Sequence, residues 1–149
     1  MSIKGKLQED WKQAMKTRDK FKASTLSTAR SAILFVEKNK GIELEDSQVI
    51  EILAKEVKQR NEAVLEFQKG NRQDLVDKAK AENEILLSYL PQQLSNEEIY
   101  EIIEQSAVEA GANSIKDMGK LMKLIIPKTS GRADGKLVST LVRDYLNKK

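Results

Sequence analysis

Apolar residues recur at spacings of three and four along nearly the whole chain, and no run alternates at period two, so the pattern predicts an all-α protein. Ile3, Leu7, Trp11, Ala14 and Met15 line one face of a first helix that ends near "KTRDK". Leu26, Ala29, Ile33 and Val36 line a second, stopped where "KNKG" supplies cations in the last turn and Gly41 beyond it. A longer third helix runs from about 47 to 68. Its residues Val49, Leu53, Val57, Arg60, Val64 and Phe67 step alternately by four and three, a near-heptad seam suited to an antiparallel neighbour. Gly70 is read as its stop and Asn71 as the cap of a fourth helix, with Asp74 near the positive end. Leu75, Ala79, Leu86 and Leu90 form that helix's inward stripe. The short link makes helices three and four a hairpin.

Pro91 breaks the pattern, and a start signal follows at once: Ser95 with Glu98 is a capping box opening a fifth helix through Ile99, Ile102, Ile103 and Val108 to Gly111. Ser114 with Asp117 reads as a second box before a sixth helix faced by Met118, Leu121, Met122 and Ile125 and closed by Pro127. The seventh buries Leu137, Val138, Leu141, Val142 and Tyr145. The expected organisation is an N-terminal multihelical domain of about four helices, residues 1–92, with the long hairpin in it. A small three-helix C-terminal domain follows over 93–149.

Composition narrows the chemistry. The 149 residues are enough to bury roughly 70% of the surface the unfolded chain exposes. Cysteine is absent, which removes disulfides, thiolate metal sites and cysteine nucleophiles and suits a reducing compartment. Histidine is absent too, and with it the usual general base and zinc ligand. No apolar run approaches the roughly 20 residues of a membrane span, and "MSIKGKLQED" carries no apolar block of a secretory signal. A soluble, cytoplasmic protein is expected. The net charge of +3 hides a division: residues 1–40 and 116–149 each carry +6, while 41–94 carry −4 and 95–115 carry −5.

Acidic neighbours such as Glu97 and Glu98, or Glu82 and Glu84, point to different sides of a helix and read as solvated surface. No nucleophile elbow, Walker loop or dinucleotide fingerprint is present; "GKLV" at Gly135 lacks the glycine five residues earlier and the Ser/Thr after its lysine. No catalytic residue, cofactor or metal is expected. Binding has more to stand on. Lys116, Lys120 and Lys123 fall at i, i+4 and i+7, across the helix from Met118, Leu121, Met122 and Ile125, over about 10 Å of axis. On lysines alone, a merely solubilising face and a phosphate-binding face are both open. Lys128, Arg132 and Lys136 continue at spacing four through "PKTSGRADGKLV". Asp134 stands there at the natural N-cap and would occupy the helix donors itself, so an anion is expected at the side of the turn instead. Trp11 reads as core, which leaves no stacking platform for single-stranded bases; recognition of a folded RNA by backbone and shape fits better.

"DMGKLMKLIIPKTSGRADGKLVSTLVRDYL", residues 117–146, closely resembles the tail motif of the GatB/YqeY family: a Met-Gly-Lys helix, a Gly-Arg-Ala-Asp-Gly-Lys turn and a final amphipathic helix. "EVKQRNEAVLEFQKGNRQDLVDKAKAENEILLSYLPQQLS", residues 56–95, looks like the stand-alone YqeY branch, and the resemblance covers residues 2–147. It implies an all-helical protein of two parts, the second similar to the tail of the Asp/Glu-tRNA amidotransferase B subunit, a tail thought to contact tRNA. The basic residues of the motif match Lys116, Lys120, Lys128, Arg132 and Lys136; Lys123 is added by helical geometry. The catalytic cradle of that subunit has no counterpart in 149 residues. The expectation is therefore a non-catalytic protein that binds tRNA or another structured RNA, with no DNA or membrane partner. The rivals are a protein-binding adaptor using the acidic 41–115 stretch or the helix-three seam, and an accessory factor of amide transfer.

Overall fold

The computed structural model describes residues 2–148. Among them lie seven α-helices, one short 3-10 turn and no strand, so the all-α expectation holds. The chain divides into two compact units, Met1–Leu90 and Pro91–Lys149.

The first unit comprises α1 (Ile3–Lys16), α2 (Lys20–Lys40), α3 (Asp46–Lys69) and α4 (Gln73–Leu87). The first two starts have a local cause: the Ser2 hydroxyl accepts the Gly5 N–H, and the Asp19 carboxylate accepts that of Lys22. Gly41 ends α2 in the left-handed conformation, φ 66°, that a Cβ would penalise. Leu7, Leu26, Ile33, Val49, Leu53 and Leu86 meet in the main core. Trp11 is half-buried against it, its indole stacked under the Arg30 guanidinium 4.7 Å from the ring centroid. Met15, expected on the inner face, is 58% exposed: the buried residue of the last turn is Ala14, and Met15 lies about 100° further around α1.

The hairpin of α3 and α4 forms, with a polar layer across its seam. Val57 and Leu86 belong to the main core, while Val64, Val76 and Ala79, with Phe67, make a separate small cluster nearer the turn. Between them Arg60 bonds Glu56 at 3.0 Å and approaches Glu82 of α4 at 3.7 Å. There too the buried Asn83 amide donates to Asn61 Oδ1 at 2.9 Å and to the Val57 carbonyl at 3.3 Å. Arg60 thus fills its seam position by meeting carboxylates. The turn differs from expectation: Gly70 keeps an ordinary φ of −87° and Asn71 takes the left-handed one, 57°. The N-cap falls on Arg72, whose side chain grips Asp74 at 2.9 and 3.0 Å. Asparagine tolerates left-handed backbone better than other L-residues, which frees Gly70 from that role. The inward residue of the first turn is Val76, with Leu75 only half-buried.

The second unit comprises α5 (Asn96–Ala110), the 3-10 turn Ile115–Asp117, α6 (Met118–Thr129) and α7 (Gly135–Asn147). Its core joins Ile99, Ile103, Leu121, Ile125, Val142 and Leu146. The Ser95/Glu98 capping box forms in both directions, at 3.2 and 3.0 Å, and Gly111 ends α5 at φ 65°. Val108 is 83% exposed; Ser106, Ala107 and Ala110 take the inward positions instead. The second expected box is only half made, since Ser114 accepts no capping bond while Asp117 reaches back to the Asn113 N–H at 3.1 Å. Nor does Pro127 close α6. It removes one N–H late in the helix, and the last turn continues through Thr129, whose hydroxyl bonds the Ile125 carbonyl at 3.2 Å.

Candidate nucleic-acid interface

Six cations were expected on one surface, and the structure sorts them by what they touch. Lys120 and Lys123 stand on α6 and are exposed, on the face opposite Leu121 and Ile125. Lys116 is exposed in the 3-10 turn just before α6, so it joins them at a helix start and not in the same α-helical register. Lys136 is exposed in the first turn of α7; its own N–H goes to the Asp134 carboxylate at 3.1 Å, so the expected cap is in place. Among the described residues none of Lys116, Lys120, Lys123 or Lys136 makes an ion pair within 4.0 Å. Lys120 does stand near enough to Asp117 to add to the depression of its carboxyl, which the Asn113 N–H mainly causes.

The other two expected cations are engaged within the unit. Lys128 turns toward α5, its ammonium 3.0 Å from the Ser106 hydroxyl and 3.3 Å from the Glu109 carboxylate. Arg132 is half-buried in the α6–α7 turn. Its Nε points at the Gln92 carbonyl at 3.5 Å, and its own carbonyl accepts the Leu94 N–H at 2.8 Å. Gln93 secures the same junction by donating to the Gly131 carbonyl at 2.9 Å. Glu98 is held below the usual carboxylate range first by the Ser95 N–H, with Arg132 nearby adding to it. Lys128 and Arg132 therefore anchor the turn, and the cationic row expected through "PKTSGRADGKLV" is interrupted there.

One cation escaped the sequence reading. Arg143 lies seven residues after Lys136 on the same exposed face of α7, with Thr140 between them and Asn147 beyond. The i, i+7 spacing was the available signal. The two charges are separated by about 10 Å of helix axis, and among the described residues Arg143 has no ion pair. The exposed faces of α6 and α7 thus carry Lys120, Lys123, Lys136 and Arg143, with Lys116 in the turn just before α6. The outward face of α5 carries Glu97, Glu101 and Glu104, so the unit is electrically two-sided.

A family model described as Yqey-like protein matches residues 4–146. The chain belongs to the YqeY-like family. Among its curated relatives, "Altered inheritance of mitochondria protein 41, mitochondrial" of Pyrenophora tritici-repentis is 26% identical over 147 residues, covering 97% of this chain and 81% of that protein. An uncharacterised Schizosaccharomyces pombe protein is 35% identical over 83 residues, 56% of this chain and 68% of its own. The Candida glabrata protein that shares the first one's name is 35% identical over 95 residues, and the match spans half of its length. These names correct the cytoplasmic location expected of this YqeY-like chain, since relatives of stated compartment are mitochondrial. That expectation rested on composition, and a cysteine-free helical chain suits any reducing compartment, so composition had no power to select the cytoplasm.

Proposed function

We propose that the C-terminal unit of this YqeY-like protein is a binding module for structured RNA, tRNA foremost, and that it performs no chemistry of its own. The observation that carries the reading is the set of exposed cations that make no ion pair among the described residues: Lys116 in the turn before α6, Lys120 and Lys123 on α6, and Lys136 and Arg143 on α7. Cations on a folded surface that are not spent on internal carboxylates are available to release counterions from a polyanion. The acidic face of α5 would repel the same ligand, which orients it toward α6 and α7. The resemblance of residues 117–146 to an amidotransferase tail supports RNA as the polyanion, and recognition through backbone and shape requires no stacking aromatic. Amide transfer, where it occurs nearby, belongs to a partner enzyme, since this chain has neither cysteine nor histidine to serve as nucleophile or base.

The deciding experiment is a salt titration of the full chain against a tRNA transcript. With four phosphates met, log K falls against log salt with a slope of roughly −3, on the single-strand coefficient. Replacing Lys116, Lys120, Lys123 and Lys136 by Gln flattens that slope with helicity unchanged. Undiminished affinity in that variant refutes the reading. A protein-binding adaptor is the second reading, favoured by Val108, which stands 83% exposed among the acidic side chains of α5. It predicts a complex insensitive to the four lysine substitutions and lost on Val108→Asp.

A further inference from the structure

Gly119 sits in the first turn of α6, is exposed, and has open space around it: a Cβ built there would meet nothing within 4 Å. Its φ lies outside the left-handed range, so the backbone does not demand glycine. It does not serve a helix–helix contact inside the unit either, although a small residue invites that reading. The fold thus supplies no reason for a residue that weakens a helix.

The neighbours of Gly119 suggest one. At about 100° per residue, Ile126, Gly119, Lys123, Pro127 and Lys120 follow one another around roughly 120° of α6, opposite Leu121 and Ile125, with Pro127 a turn beyond Lys123 toward the helix end. Ile126 is 54% exposed, and Ile115, just before the helix, is exposed as well. The bare Cα therefore lies between exposed Ile126 on one side and Lys123 and Lys120 on the other, with Ile115 and Lys116 exposed in the 3-10 turn just before the helix. A ribose–phosphate chain has the same two-sidedness, with apolar sugar carbons beside anionic oxygens. The carboxylate at this end, half-exposed Asp117, accepts the Asn113 N–H, and the three lysines leave the region net cationic and complementary to a polyanion.

Building on the RNA reading above, we infer that Gly119 is the close-approach point of the RNA backbone. The riboses rest on Ile115 and Ile126 across the missing side chain, and the phosphates meet Lys116, Lys120 and Lys123. A glycine is what permits a polypeptide backbone to come within contact distance of a phosphate chain. A side chain at 119 would fill the space through which the strand reaches the helix backbone.

The test compares wild type, Gly119→Ala and Gly119→Leu in tRNA-transcript binding and in thermal unfolding. Both substitutions improve helix propensity in open space, so the melting temperature stays level or rises by a few degrees. Affinity moves the other way, falling about fivefold for Ala and more for Leu, as overpacking of a close contact predicts. Should both variants bind like wild type while the four-lysine variant loses binding, the close approach is refuted and the RNA reading survives. Should wild-type affinity ignore both salt and the lysines, the two fall together. A helix-docking role for Gly119 belongs to the first of these outcomes, since it leaves RNA affinity untouched.

Discussion

The ammonium of Lys128 stands 3.0 Å from the hydroxyl of Ser106, a wholly buried residue of α5. The same ammonium reaches Glu109 at 3.3 Å, so this cation joins α6 to α5. A hydrogen bond to a buried hydroxyl is worth more than the exposed half of the pair, and together they contribute about 1 kcal/mol. Lys128→Gln is therefore expected to lower the unfolding midpoint by that amount and to leave the salt slope of RNA binding unchanged. Denaturant melts and a salt titration on one variant check both halves.

Lys136 and Arg143 behave oppositely. They share an exposed face of α7 and contribute little to packing, so Lys136→Gln and Arg143→Gln each leave stability within about 0.5 kcal/mol. Each is expected to reduce the steepness of the salt dependence by about 0.7, the value of one phosphate contact on the single-strand coefficient. An Arg143→Gln variant with the full wild-type slope would remove α7's second cation from the interface.

These contrasts show which parts of the molecule were legible in the sequence. The helices were, because their apolar stripes are long and a wrong period would have broken them at once. Ser95, Gly41, Gly111 and Asp134 were legible as caps, since each acts on its own backbone within a few residues. What escaped depends on distant partners. The fate of Lys128 is decided by Ser106 and Glu109, 22 and 19 residues earlier, and no local pattern reports them. The same holds for Arg60, an odd member of an apolar seam until Glu82 appears across the hairpin. Val108 is different: nine residues after Ile99, at about 100° per residue, it stands on the opposite side of α5 from the stripe, so helix geometry alone already places it outward.

Asn83 is the central residue of the polar layer between α3 and α4. Its amide nitrogen bonds Asn61 and the Val57 carbonyl, while its own Oδ1 is buried without a protein partner among the described residues. Asn83→Ala removes the donor and opens a void, with an expected cost of about 1–2 kcal/mol in denaturant unfolding at constant m-value. Asn61 is exposed, and Asn61→Ala leaves the Val57 bond intact, so its cost is expected to be less than half as large. Equal costs for the two would mean that the side-chain pair, and not burial, sets the value of this layer.

Glu37 gives the first unit a pH dependence whose sign follows from its contacts. One carboxylate oxygen accepts from the Lys4 ammonium at 2.6 Å and from the Leu44 N–H at 2.8 Å, tying α1 to the segment after α2. The Lys4 bond first, and the Leu44 bond after it, hold this carboxyl below its ordinary value of 4.5. A carboxyl depressed in the folded state adds stability above its unfolded pKa and loses it as pH falls through the folded one. Glu37→Gln keeps an acceptor of the same size but gives up the charge. Its melting temperature is therefore expected to lie below wild type at pH 7. The gap should begin to close near pH 4.5 and vanish once the wild-type carboxyl is protonated. A gap that stays constant from pH 7 to pH 3 would assign the effect to shape and not to the ion pair, because only the charged form distinguishes the two side chains.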